Sequence, residues 1–93
     1  MLDEHTAWEQ RYSVAVSYVA MIGSPRVGDR GMNISTLQSL LRDIGFFRGK
    51  NNGIMNTPTL IALKRYQKSR GIPQTGKLDS LTKSALADDA IKA

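Results

Sequence analysis

Residues able to do acid–base or nucleophilic chemistry are scarce in this sequence, which has one histidine, His5, and no cysteine. A catalyst needs a nucleophile beside a base, a general acid–base pair or a metal constellation. His5 sits near the start of a candidate helix, the usual place for a solvated terminal side chain. Asp43 and Asp79 are the carboxylates between residues 30 and 86 and by type could form a glycosidase pair. Each has a plainer use, because Asp79 stands where a helix N-cap belongs and Asp43 lies on the surface near a helix end. No cluster of His, Asp or Glu has metal-ligand spacing, so neither catalysis nor a cofactor is expected.

Groups suited to non-covalent recognition are denser. From Gly45 to Asn56 the chain is rich in glycine and asparagine. Such a loop offers backbone N–H and C=O groups and amides that bind sugar hydroxyls, N-acetyl groups or peptide carboxylates. Asn52 and Asn56 are the polar candidates, although asparagine is equally suited to making turns. Phe47, beside a core-like Phe46, is expected to be exposed and to pack on a sugar face, with Arg48 pairing with a carboxylate. Gly53, Met55 and Thr59 complete the candidate ligand-binding loop. Gln38 and Gln67 are read as buried hydrogen-bonding spacers.

The elements that must position these residues are helices. Ile34, Leu37, Leu41 and Ile44 form one stripe ended by Gly45, which predicts a helix over 33–44. Thr57 or Asn56 can cap a second helix, over 57–70, in which Pro58 fits the first turn, Leu60, Ala62, Leu63 and Tyr66 face inward and Gly71 stops it. Asp79 caps a third, over 79–88, through Leu81, Thr82, Ala85 and Leu86, with a frayed tail at 89–93. Gly53-Ile54-Met55-Asn56 before Thr59 and Gly76-Lys77-Leu78-Asp79 before Thr82 share one plan: a glycine turn, an apolar anchor, an Asx cap and a threonine in the first helical turn.

Residues 1–22 carry a helical stripe of Trp8, Ala15, Val19 and Ile22 and a strand-like alternation of Tyr12, Val14, Val16 and Tyr18. Thr6 and Glu9 have capping-box spacing and Gly23 stands at a stop, which favours a helix. This amphipathic segment either packs on the core or docks a partner or a second copy. Residues 23–30, dense in Gly, Ser and Pro, read as a linker or ordered loop between it and a module at 31–88.

With 93 residues and no cysteine the chain holds one modest core and no disulfide, and no apolar run reaches bilayer length. Acidic residues near the start argue against a classical signal peptide, so localisation stays open. The net charge of +5 is concentrated after Arg30, which favours anionic partners or simply solubility. Lys64 to Arg70 resembles a basic DNA-reading helix, yet Tyr66 falls on the apolar stripe, and charges alone give only weak, salt-sensitive nucleic-acid binding.

Taken in order, Gly31, Ile34, Leu37-Gln38, Leu41, Gly45-Phe46, Gly49, Asn52-Gly53, Thr59, Ala62-Leu63, Tyr66-Gln67, Gly71-Ile72, Thr75-Gly76, Leu78-Asp79 and Thr82 resemble the pattern of the peptidoglycan-binding domain of bacterial and phage cell-wall enzymes. The resemblance implies an all-α, three-helix bundle, here with an extra N-terminal helix or strand, that holds peptidoglycan, through its glycan or its stem peptide, without catalysing a reaction and keeps an associated partner there. Members usually have an aromatic and a glycine after the Asx-Gly turn, where this chain has Met55 and Asn56. A protein-docking or phage/secretion structural module that keeps the fold without the glycan ligand is the alternative, and action on the wall would place the chain in the cell envelope or periplasm.

Overall fold

The computed structural model describes residues 14–92; His5, Trp8, Tyr12 and the Thr6 and Glu9 pair lie outside the described residues. Residues 14–20 are helical and form α1. Helix α2 spans Met32–Asp43, α3 Thr57–Ser69 and α4 Ser80–Lys92, in keeping with the stripes and terminal signals of the sequence. The chain is all-α: among the described residues the extended pairing is an isolated antiparallel bridge between Arg30 and Ile54.

Apolar periodicity decides which faces meet. Ile34, Leu37 and Leu41 of α2, Ala62, Leu63 and Tyr66 of α3, and Leu86 and Ala87 of α4 form the core with Met55 and Leu78 from the loops. Each fully buried leucine contributes roughly 1.5–3 kcal/mol relative to an exposed one. α2 and α3 end alike. Phe46 N–H donates to Leu41 C=O and Gly45 N–H to Arg42 C=O, while Ile72 N–H donates to Gln67 C=O and Gly71 N–H to Lys68 C=O. Both are Schellman closures, which need a left-handed residue where the helix stops; Gly45 and Gly71 supply it at φ 91° and 70°.

α1 settles the double pattern of its segment. Val19 and Ile22 are buried and Ala15 packs against the core, whereas Val14, Val16 and Tyr18 are all exposed. The strand alternative fails over the described residues because the helical stripe is the one that finds apolar partners. Residues 23–30 are an ordered loop rather than a free linker. Ser24 Oγ donates to Leu78 C=O at 3.3 Å, and Asn33 Nδ2 donates to Ile22 C=O at 3.0 Å. Residues 28–31 pair with 53–55 through Gly28 N–H to Met55 C=O, Met55 N–H to Asp29 C=O and Gly31 N–H to Gly53 C=O.

The frayed tail expected at 89–93 is instead helical through Lys92. Its last turns have long-range partners: Tyr66 Oη donates to Asp89 Oδ2, and Arg70 reaches Asp88 at 3.3 Å and Asp89 at 3.6 Å. Burial and the Asp89 hydrogen bond push the Tyr66 hydroxyl's ionisation well above its usual range. Leu81, expected on the inner stripe, points to solvent, and Thr82 takes the buried position.

α4 is capped as the sequence implies, with Thr82 N–H and Oγ1–H both donating to Asp79 Oδ1, at 2.9 and 2.7 Å. Those donors hold the Asp79 carboxyl below the usual carboxylate range. A depressed folded value means stabilisation that is complete above the unfolded value, about 3.9, and lost as pH falls through the folded one. Asp79→Asn, which installs the residue type that caps α3, is expected to keep the helix while removing that part of the acid dependence. Urea midpoints at about pH 6 and about pH 3 should therefore differ less in the variant than in the parent; equal differences would exclude the mechanism.

Candidate functional site

The loop after α2 is rigid because the backbone closes it and a ring fills it. Phe46 and Phe47 N–H groups both donate to Leu41 C=O, at 2.7 and 3.1 Å, which turns the chain back over the helix end. The Phe47 ring then tucks under Gly49, where a Cβ would lie 2.9 Å from Cε1 and Cζ. Arg42 Nη2 donates to Gly49 C=O at 2.8 Å and pins the far side. Opposite stands α3, which presents Pro58, Ile61 and Arg65 at helical spacing. Loop and helix enclose an open groove of about 560 Å³.

Arg48 and Arg65 are exposed on this groove, its lining includes no carboxylate, and neither guanidinium has an acidic partner among the described residues. Phe46, Pro58, Ile61 and Ala62 give it apolar walls. Two planar donors over such a floor suit an anionic group attached to an apolar or ring-like body.

The residues expected to bind divide between this groove and the scaffold. Phe47 is corrected: it is 3% exposed and belongs to the core, while Phe46, expected in the core, is the partly exposed ring, packed edge-on against Tyr66 at 5.5 Å and 82°. Met55, 1% exposed, is also a core residue, because its backbone pairs with Gly28 and Asp29 and its side chain turns inward as Leu78 does in the second turn. Thr59 is fully buried; its hydroxyl accepts from Gln38 Nε2 at 3.0 Å and donates to Asn56 Oδ1 at 2.7 Å. Asn56 is the α3 N-cap, accepting Thr59 N–H at 3.1 Å.

Gly53, at φ 70°, donates its N–H to Gln38 Oε1, and Asn52 Oδ1 accepts from Ile54 N–H at 3.0 Å in an Asx turn. These five residues thus build the loop, and of the expected set Arg48 offers a free polar group to the groove. Sequence reasoning missed Ile61 and Arg65, which share one outer face of α3; the signal was their four-residue spacing. It also missed Asn51, which donates to Ser35 C=O and Ser39 Oγ, accepts from Ser35 Oγ, and straps the loop along α2.

Among the described residues no helix is long and apolar enough to cross a membrane, and no three His, Asp or Glu residues come together as a metal site would require. The sequence profile described as "Putative peptidoglycan binding domain" matches residues 30–86. The chain is also similar to the protein named localization factor PodJL in two strains of Caulobacter vibrioides, at 26% identity over 68 residues. That match covers 73% of this chain and 7% of the relative's length.

The two aromatics should separate by substitution. Phe47→Ala is expected to lose about 3–5 kcal/mol of stability, as a large core truncation does. Arg48→Ala should stay within about 0.5 kcal/mol of the parent, as a substitution of an exposed surface side chain does. Denaturant midpoints check both, and a Phe47→Ala protein of parental stability would show that the ring does not support the loop.

Proposed function

The chain belongs to the peptidoglycan-binding domain family, and from that premise we propose that it is a non-catalytic module which anchors to cell-wall peptidoglycan through the groove between residues 45–49 and α3. The observation that carries the reading is the exposed Arg48 and Arg65 pair, without an acidic partner among the described residues, over an apolar floor. Peptide carboxylates and the ring faces of sugars match that combination. Because the loop is already closed by backbone bonds and the buried Phe47, little ordering is needed on binding. Asn52, Gly53, Met55, Asn56 and Thr59 contribute by holding the loop in shape.

Anchoring serves an associated partner, with the cell envelope as the place of action. A relative whose name is localization factor fits a module that positions something else. Asp43 and Asp79 support no turnover, since Asp79 is occupied as a cap. Depletion of the full chain by purified sacculi should survive roughly 0.3 M salt, while duplex-DNA binding collapses over the same range. R48Q and R65Q should weaken the sacculus interaction without altering the circular dichroism spectrum. Failure to bind sacculi, or release of soluble muropeptides by the pure protein, would overturn the proposal.

A second reading rests on α1, whose outer face exposes Val14, Tyr18 and Met21 around an apolar depression. Its inner face already packs on the core through Val19 and Ile22. The segment therefore covers the core and also offers a surface for protein docking or self-association. Under this reading the full chain sediments as a dimer or larger at high concentration and Tyr18→Glu restores the monomer; a parent that stays monomeric throughout excludes self-association.

A further inference from the structure

Phe46 lines two depressions at once. On one side is the groove with Arg48 and Arg65; on the other is a hollow of about 370 Å³ that Phe46 shares with Asp43, Tyr66, Arg70 and Asp89. The charges at the far side are not equivalent. Arg70 is held by Asp88 and Asp89, and Asp89 also accepts the Tyr66 hydroxyl. The Asp43 side chain is exposed and its carboxylate makes no hydrogen bond or ion pair with any described residue. The adjacent Arg42 is committed to the Gly49 carbonyl. The surface running over Phe46 is thus cationic at one end and presents an uncommitted carboxylate at the other.

This inference rests on the peptidoglycan reading and deepens it. We propose that the groove and the hollow form one bipolar site astride Phe46 that takes a zwitterionic peptide, with its carboxylate at Arg48 and Arg65, its free ammonium at Asp43 and its aliphatic body across the ring. In cell-wall material that chemistry belongs to a stem peptide whose diamino acid still has a free amine. Cross-linking turns the amine into an amide, which removes the positive charge and with it the attraction to Asp43. The module therefore recognises peptide rather than glycan, and un-cross-linked peptide in preference to cross-linked.

Titration of the full chain with three soluble probes tests this: a disaccharide carrying an un-cross-linked stem peptide, the same compound acetylated on the diamino-acid amine, and the disaccharide without peptide. Acetylation is expected to weaken binding about tenfold, the equivalent of one charge-assisted contact, and the bare disaccharide should bind weakest. D43N should abolish the discrimination against the acetylated probe, and R65Q should weaken both peptide probes alike. Equal binding of the free and acetylated probes, or of the bare disaccharide and the peptide probe, would overturn the inference and leave sacculus binding standing. Absence of binding to sacculi would remove the parent reading and this one together. Because the discriminating change is made on the ligand, the answer does not depend on any variant folding.

Discussion

A buried amide needs partners for both its oxygen and its NH2 group, and in this chain Gln38 and Gln67, both fully buried, find theirs in the two turns that precede α3 and α4 and in the first turns of those helices. Gln38 Oε1 accepts Gly53 N–H at 3.0 Å, and its Nε2 faces Thr59 Oγ1, Ile54 C=O and, more distantly, Asn52 Oδ1. Gln67 repeats the set: Oε1 accepts Gly76 N–H at 2.9 Å, and Nε2 faces Thr82 Oγ1, Lys77 C=O and Thr75 Oγ1. An NH2 group has two hydrogens, so the third and longest contact in each case is shared. In a small chain without disulfides, these amides fasten loop backbone to the core. A glutamine-to-leucine change at either position would take the acceptor from a turn N–H, a loss of roughly 1–3 kcal/mol, while the threonine hydroxyl keeps its bond to the Asx cap.

The repetition shows which features the fold requires and which it leaves open. Gly53 and Gly76 both sit at φ 70°, where a side chain is strained. Beyond that, a Cβ on Gly76 would lie 2.6 Å from Leu60 Cδ1, and one on Gly53 would lie 3.2 Å from the Gly31 carbonyl oxygen. Met55 and Leu78 anchor the turns, and Asn56 and Asp79 cap the helices through equivalent threonines. The capping chemistry therefore tolerates either an amide or a carboxylate. Of the two, only Asp79 ties stability to pH.

Much of this was legible because it is periodic or stereochemical. The α2 and α3 stripes, the glycine stops, the Asx caps and the burial of both glutamines follow from spacing and from what each side chain can satisfy. The candidate site was less legible. Phe46 and Phe47 are adjacent in a loop without period, so nothing local chooses which ring goes in; Gly49, whose missing Cβ admits Phe47, was the available cue. The strand-like alternation of Val14, Val16 and Tyr18 misleads because alternation has meaning only where one side is covered. The course of α4 past residue 88 depends on Tyr66 and Arg70, which are distant in sequence and carry no local signal.

Asparagine and glycine drew attention to residues 52–56 as a ligand loop, and the Asn52 and Asn56 side-chain oxygens and the Gly53 N–H, which make such residues attractive for binding, are engaged in closing the turn. A polar group already bonded to its own chain has little to offer a ligand, since exchanging one partner for another returns little free energy. In the binding mode we propose, recognition falls to the exposed guanidiniums of Arg48 and Arg65 and the exposed carboxylate of Asp43, on either side of the partly exposed Phe46 ring. These stand on backbone that the Schellman closure of α2, the Phe47 plug and the Asn51 strap hold fixed. Such a division would let a chain of this size maintain both its fold and the site we propose. The buried network carries stability, and the exposed charged rim can change without cost to the core.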